Sequence, residues 1–214
     1  MALLDPVKTR VDVGRLVMVP CATLMLCADA LVLAQSSGTG ALRWVGDVMV
    51  MTFYALIIWA YLRREPAKAT STSYAAHTAA VTATLLPFTL PLLAGGPPGA
   101  GQELVADALL VVGSVWSIWS LRSLGKNLSV IAQARDVVEH GPYRWVRHPL
   151  YSGEIVSSLG VLVAAGSPAA VGVWILLVAL QVYRALREEH VLLGTLPAYA
   201  DYRTRTAALL PGVI

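Results

Sequence analysis

Charged residues are scarce in this chain of 214 residues, and their scarcity excludes a soluble globular domain. Only 14% of the residues are charged, against 57% that are hydrophobic, whereas soluble domains carry about 25% charged residues. The sequence also lacks the pattern of a cleavable signal, because its first sixteen residues are mixed and partly charged, with no small-residue cleavage site. We predict a polytopic membrane protein whose length permits one compact bundle.

Signatures of metal and nucleotide sites are missing as well. The two cysteines, Cys21 and Cys27, are six residues apart, so a helix separates them by roughly 240° and about 9 Å and they cannot form a disulfide with each other. No Cys/His spacing suits zinc, and we expect no metal. The "GGPPGAG" run at 95–101 lacks a following Lys-Ser/Thr pair and is interpreted as a turn. No GxGxxG motif follows a strand, so no dinucleotide-binding fold is encoded.

Long apolar runs dominate what is present. A membrane span needs about 20 mainly apolar residues, and five runs satisfy this: 15–34, 43–62, 75–94, 104–121 and 168–186. A sixth run, 149–165, is shorter and begins with a proline that suits a first helical turn; the alternative is a tilted or re-entrant helix. We predict an all-α bundle of about six spans, forming a single membrane domain over residues 1–214, with spans one to three in 1–103. The "GSP" turn at 166–168 makes the last two spans a tight hairpin.

Basic residues are concentrated on one side of this predicted topology. If both termini are cytoplasmic, all of the 16 Lys and Arg residues except Arg43 fall in inner segments. Cytoplasmic loops of membrane proteins carry such an excess. The distribution predicts a multi-pass protein with cytoplasmic termini, and it explains the net charge of +3 without a nucleic-acid partner.

Polar side chains on the predicted cytoplasmic face are concentrated in two stretches. Residues 135–154 ("RDVVEHGPYRWVRHPLYSGE") lead into run 149–165, the fifth span in chain order. Residues 183–205 ("YRALREEHVLLGTLPAYADYRTR") leave run 168–186, the sixth span. Because these two spans form a hairpin, both stretches return to the same face and can meet. Clusters of both charge signs at one end of an apolar bundle predict a polar cofactor site beside a substrate that arrives from the lipid.

Acidic residues near the membrane fall into two groups. Asp29, Asp47, Glu103 and Asp107 lie near the outer ends of spans, where water or lipid headgroups solvate them, and we interpret them as interfacial. Glu154 lies one turn inside the fifth span, and an ionisable group at that depth indicates a function.

Three polar residues in the two stretches have more than one interpretation. Arg184 and Glu188 are four residues apart and share a helix face. They form either a plain ion pair that ends the helix or a pair of binding groups at one site. His148 is a capping histidine at headgroup level, a catalytic group or a metal ligand, and the first is favoured.

Together, in this order and spacing, the two stretches resemble the isoprenylcysteine carboxyl methyltransferase family. "GPYRWVRHPLYSG" is similar to the family's RHPxYxG signature, and "REEHVLL…YADYRTR…LLP" is similar to its Glu-Glu motif with trailing tyrosines. The similarity covers roughly residues 120–214, whereas spans one to three match only in character. Phospholipid methyltransferases share the same C-terminal design.

The resemblance implies a methyltransferase core over residues 104–214, with S-adenosylmethionine bound in a pocket on the cytoplasmic face. Carried over by motif, the cofactor-binding residues are Arg135, Asp136, Val137, Val138, Tyr143, His148, Pro149, Leu150, Tyr151 and Glu188. Arg184 and Glu154 are implied on the substrate side, and Arg184 and Glu188 as the catalytic pair. The chemistry agrees, because a carboxylate suits the cofactor's amino group and an arginine fork suits a carboxylate substrate.

The implied reaction is methyl transfer to a lipophilic small molecule or a lipidated substrate, with carboxyl O-methylation as the first choice. An ionised carboxylate needs no general base, so catalysis would come from positioning and from exclusion of water. A prenylcysteine, a small lipophilic acid, a thiol and a lipid amine stay open as acceptors. Membrane lipids are the expected surroundings.

Two other functions are compatible with the sequence. A membrane reductase of the sterol-reductase type has a similar C-terminal bundle but binds NADPH, whose 2′-phosphate needs a basic set such as Arg135, Arg144 and Arg147. A non-enzymatic membrane protein or transporter is the second, although broken helices and midplane polar groups are scarce.

The segment 199–214 is expected to close the cofactor pocket, the alternative being a surface helix on anionic lipid.

Overall fold

The chain folds as a helical bundle, and the predicted all-α class is confirmed. The computed structural model describes residues 4–5, 13–35, 40–63, 69–71, 73–128, 133–134 and 137–210. The helices in chain order are α1 (Val13–Gln35), α2 (Ala41–Arg63), α3 (Tyr74–Leu85), α4 (Ala100–Leu124), α5 (Pro149–Ala165), α6 (Pro168–Thr195) and α7 (Ala198–Arg205).

Helices α1, α2, α4 and α6 are long and apolar enough to cross a membrane. They confirm four of the six predicted spans. Helix α5 begins and ends at the predicted residues, but its 17 residues rise only about 26 Å, somewhat less than the roughly 30 Å of a bilayer core. The protein is therefore an integral membrane protein in which α5 is a short element.

The third predicted span, residues 75–94, is not one continuous helix. Helix α3 ends at Leu85, and the chain continues in two 3-10 turns, Leu86–Thr89 and Pro91–Leu93, each with a proline at its start. Proline has no amide hydrogen to donate, and its ring clashes with the preceding turn. The expected count of about six spans is corrected to four full-length spans and two shorter helical segments within the described residues.

The predicted hairpin of the last two apolar runs is present as α5 and α6. Gly166 ends α5 in the left-handed conformation, with φ of 58°, which glycine adopts without steric cost. The Ser167 hydroxyl then caps α6 by accepting from the Ala170 amide at 3.2 Å, and Pro168 occupies the first turn. The hairpin returns the C-terminal end of α6 to the start of α5.

Helices α4 and α5 pack closely through glycines. A Cβ atom at Gly113 would overlap the Ser157 backbone, one at Gly153 the Ser117 hydroxyl, and one at Gly160 the backbone of α4. Small residues at such an interface let helix backbones approach in a membrane, where van der Waals packing drives association. This contact holds the start of α5 against α4.

We expect Gly113→Ala to lower the stability of the bundle by about 1–3 kcal/mol, because the added methyl group forces α4 away from α5. Thermal unfolding in detergent measures the effect. Gly172→Ala is the matched control, since a Cβ atom there meets nothing within 4 Å and alanine is the better helix former. Equal melting temperatures for the two variants would contradict this account of the α4–α5 contact.

Three short strands complete the described fold: β1 (Leu4–Asp5), β2 (Ala69–Ser71) and β3 (Gln133–Ala134). They form an antiparallel sheet in the order β1-β2-β3. Strand β2 follows the C-terminal end of α2, and β3 follows that of α4, so the sheet lies at the end of the bundle from which α5 starts. We call this end, which also holds residues 141–148, the basic end.

Candidate active site

A cavity of about 500 Å³ runs between α1, α2, α4 and α5, within the roughly 300–1,000 Å³ usual for ligand pockets. On α2, residues that line the cavity recur every three or four positions, at Arg43, Asp47, Val50, Tyr54, Ile57 and Tyr61. One helix face therefore borders the cavity over a rise of about 27 Å. The cavity extends along most of the bundle and is mainly apolar in the middle.

Both ends of the cavity are polar. At the basic end its wall holds predicted site residues, which are Tyr143, His148, Leu150, Tyr151, Glu154, Arg184 and Glu188. The structure thus brings together groups from both polar stretches, although Glu154 and Arg184 are 30 residues apart in sequence. Within the described part of the chain, no group of His, Cys, Asp and Glu side chains is arranged to hold a metal.

The remaining predicted cofactor residues lie elsewhere or outside the described residues. Val138 and Pro149 are buried, and Val137 is half-buried, but the cavity wall does not include them. Arg135 and Asp136 lie outside the described residues. Pro149 opens α5, so its role in the fold is to fix the helix start directly after His148.

Glu188 is held at the cavity wall by two ring-bearing side chains. The Tyr151 hydroxyl donates to Glu188 Oε2 at 3.0 Å, and His148 Nδ1 lies 3.7 Å from the same oxygen. The rings of His148 and Tyr151 stack with centroids 5.5 Å apart. With 27% of its side chain exposed, Glu188 keeps a carboxylate surface free for a cationic ligand.

Arg184 lies deeper, in a different environment from Glu188. It is buried, donates to Gln181 Oε1 at 2.9 Å and places its guanidinium 4.6 Å from the centre of the Tyr151 ring. Gln181 in turn donates to Glu154 Oε2 at 2.6 Å. Glu154 and Arg184 are therefore linked through one amide, which offsets the cost of burying both charges.

Glu189, which the sequence reasoning did not select, makes the most extensive ionic contacts at the basic end. Its Oε1 accepts from Arg147 Nε at 2.7 Å and lies 3.2 Å from His148 Nε2, and its Oε2 lies 3.1 Å from Arg203 Nε. Successive residues of a helix point about 100° apart. Glu189 therefore faces the loop before α5, while Glu188 faces the cavity. The adjacent pair of carboxylates in "REEH" was the available signal.

The C-terminal segment, residues 198–208, docks on the loop of residues 141–148, which carries the RHP motif. The Tyr202 hydroxyl donates to the Tyr143 carbonyl at 2.6 Å, and the amides of Arg147 and His148 donate to the carbonyls of Ala207 and Ala208 at 2.8 and 3.1 Å. Burial raises the pKa of the Tyr143 hydroxyl well above its ordinary value, so this group stays protonated and neutral. The tyrosines of α7 face the protein rather than a lipid surface.

At the opposite end of the cavity, acids that the sequence placed at the interface are drawn together. Asp107 is buried, with 6% of its surface exposed, and Arg43 lies 3.8 Å from it and 3.1 Å from Asp47. The cavity wall includes all three and Asp29. Glu103 is exposed, whereas the burial of Asp107 beside Arg43 contradicts the interfacial interpretation for that residue.

Fold and site define an integral membrane protein with an internal cavity that is apolar along its length and polar at its ends. Residues 102–196 match the model of the phospholipid methyltransferase family. A solved structure of the eukaryotic intramembrane Ras methyltransferase ICMT, isoprenylcysteine carboxyl methyltransferase, has a similar fold, with a TM-score of 0.52 and 18% sequence identity over 92% of this chain and 76% of that one. None of the curated proteins compared with the chain matches it in sequence.

The family model and the fold comparison both resemble membrane methyltransferases. Over residues 102–196 the chain is similar to the phospholipid methyltransferases, and its fold is similar to that of an isoprenylcysteine carboxyl methyltransferase. The resemblance drawn from the two polar stretches is thus confirmed.

Proposed function

We propose that this protein transfers a methyl group from S-adenosylmethionine to a lipophilic acceptor, with a carboxylate as the accepting group. One observation carries the proposal. Glu188 and the buried Arg184 lie at one polar end of a cavity that is mainly apolar between its two ends. A carboxylate that receives a cationic ligand and an arginine that receives an anionic one therefore lie beside a space for a hydrocarbon chain.

The residues at the basic end fit the cofactor. Glu188 presents a carboxylate that is fixed by Tyr151, which suits the cofactor's ammonium group. Tyr143, His148, Leu150 and Tyr151 supply ring and aliphatic surface around it, and aromatic faces attract cations. When bound, S-adenosylmethionine would supply an electrophilic methyl group on a sulfonium sulfur.

The other motif residues complete the proposed cofactor site. The sequence also assigns Val137, Val138 and Pro149 there, which the cavity wall omits, and Arg135 and Asp136, which lie outside the described residues. Val137, Val138 and Pro149 flank the loop that holds Tyr143 and His148, so we assign them to shaping that loop.

Arg184 would bind and orient the acceptor. Its guanidinium is already aligned by Gln181 and by the Tyr151 ring, and Glu154 behind Gln181 limits the electrostatic cost of its burial. An ionised carboxylate needs no base, so the residues contribute by positioning and by excluding water. Glu154 lies close enough to the same groove to act on the substrate side.

The apolar length of the cavity would hold the acceptor's hydrocarbon chain. Its walls include Met18, Ala22, Val50, Ile57 and Leu110, from three helices. Burial of a hydrocarbon chain is favourable by about 25 cal/mol per Å². Because the cavity also places Arg184 where it can bind a carboxylate, we propose a prenylcysteine or a lipophilic acid as acceptor ahead of a thiol or a lipid amine.

We also propose that the basic end faces the cytoplasm. All of the 16 Lys and Arg residues except Arg43 then lie on the inner side. Alkaline phosphatase and green fluorescent protein fusions in the 95–101 turn measure this, and we expect the turn to be outside. A fluorescent, phosphatase-inactive fusion at that turn would reverse the assignment.

Calorimetric titration of the purified protein with S-adenosylhomocysteine and with NADPH tests the function. We expect saturable binding of S-adenosylhomocysteine and no heat from NADPH. Binding of NADPH alone would favour the reductase alternative, and binding of neither would favour a non-enzymatic membrane protein.

A further inference from the structure

We infer that Glu189 is a positioning residue that joins the C-terminal segment, residues 198–208, to the geometry of the cofactor end. The inference rests on the proposed function where it concerns the cofactor. One buried carboxylate contacts three side chains from two other parts of the chain: Arg147 and His148 before α5, and Arg203 in α7. No residue of the methyl-transfer chemistry proposed above requires this carboxylate directly.

The first arm of the arrangement runs from Glu189 to the cavity. Glu189 Oε1 lies 3.2 Å from His148 Nε2, and this contact sets the plane of the imidazole. The imidazole stacks on Tyr151 with only 5° between the rings. Tyr151 in turn donates to Glu188. The position of the Glu188 carboxylate therefore depends on Glu189 through the two intervening rings of His148 and Tyr151.

The second arm runs from Glu189 to α7. Arg147 Nε donates to Glu189, while Arg147 Nη1 donates to the carbonyls of Arg203 and Thr206. Those carbonyls belong to the last turn of α7 and its C-cap, where helical partners are lacking. Arg203 itself reaches back to Glu189. The carboxylate thus neutralises two arginines that hold the end of α7.

Charge explains why both arms depend on this single residue. Arg147 and Glu189 are both buried, at 7% and 4% exposure, and removing one partner of a buried pair leaves the other charge uncompensated. The Arg147 guanidinium would turn towards water and release the carbonyls of α7. The imidazole of His148 would lose the contact that sets its plane at the same time.

Limited trypsin digestion of the full-length protein in detergent tests the second arm. Cleavage after Arg205, located by mass spectrometry, requires the C-terminal segment to undock. We expect Glu189→Gln to speed this cleavage at least tenfold, whereas Glu188→Gln and Glu103→Gln should leave it unchanged. Glu189→Asp keeps the charge and should restore part of the protection.

Calorimetry with S-adenosylhomocysteine tests the first arm on the same proteins. We expect Glu189→Gln to weaken binding about tenfold and Glu189→Asp to recover part of that loss. Unchanged cleavage in Glu189→Gln overturns the inference, and so does faster cleavage with unchanged affinity, because the two arms would then be independent.

A second variant covers misfolding of Glu189→Gln. Arg203→Gln removes one partner at the half-exposed rim and keeps the Arg205 site, so its cleavage rate should also rise. If the unaltered protein does not bind S-adenosylhomocysteine, the proposed function fails by itself. The cleavage rates then decide alone whether Glu189 holds the C-terminal segment.

Discussion

Replacing Glu188 with glutamine should weaken S-adenosylhomocysteine binding by about 10- to 100-fold, the loss of one hydrogen bond to a charged group. Glutamine keeps the shape and a partner for the Tyr151 hydroxyl but removes the charge that faces the ligand's ammonium group. The fold should survive, because 27% of the Glu188 side chain is exposed and its replacement leaves no buried charge without a partner. Isothermal titration calorimetry measures the dissociation constant directly.

Glu103→Gln is the matched control for this change. Glu103 is exposed in the first turn of α4, at the opposite end of the bundle, and its replacement should leave the affinity unaltered. If Glu188 were only the partner of a helix-ending ion pair, Glu188→Gln would behave like Glu103→Gln and cost under about 1 kcal/mol of stability. Equal affinities for these two variants would remove Glu188 from the cofactor site.

Replacing Arg184 with alanine should give the opposite pattern. We expect S-adenosylhomocysteine affinity to stay within about threefold of the unaltered protein, while methyl transfer to a carboxylate acceptor falls about 100- to 1,000-fold, the usual loss when one preorganised charge-stabilising donor is removed. The reason is position, because Arg184 contacts Gln181 and the Tyr151 ring, deeper than Glu188. Transfer of radiolabelled methyl groups to a prenylcysteine and to a long-chain fatty acid measures the rate.

Two further variants separate a loss of binding from a loss of fold. Arg122→Ala removes an exposed arginine from the last turn of α4 and should leave transfer unaltered. Arg184→Lys keeps the charge without the planar fork and should recover only part of the activity. Undiminished transfer by Arg184→Ala, in protein that still binds S-adenosylhomocysteine, would exclude Arg184 from the acceptor site.

The two substitutions together test whether one site binds the cofactor through Glu188 and the acceptor through Arg184. Glu188 and Arg184 lie one helical turn apart on α6, so the alternative of a simple ion pair predicts the same small effect for both. A divided site predicts a cofactor defect for one and an acceptor defect for the other. Their different neighbours, Tyr151 and His148 for Glu188 and Gln181 for Arg184, give the physical basis for this difference.

The apolar runs and turn residues of the sequence determined where most helices form and how α5 and α6 turn back on each other. Apolar runs of about 20 residues fold as helices because the bilayer leaves no other partner for the backbone amides. The Gly166-Ser167-Pro168 turn is encoded locally, in a residue that adopts positive φ, a capping hydroxyl and a first-turn proline. The same local rules account for the break after Leu85, where prolines interrupt a run that hydropathy alone marks as a span.

Only the tertiary structure decided which polar groups become neighbours. Arg184 and Glu188 were recognised from their spacing, yet their separate environments follow from how α5 packs against α6 and α4. Glu189 was not recognised, because its partners Arg147 and Arg203 come from segments 42 residues away and in a later helix. Likewise, Asp107 has the same local pattern as an interfacial acid, and its burial beside Arg43 depends on α2. Local sequence fixes the face on which a helix presents a charge, whereas the long-range packing of the bundle fixes what that charge meets.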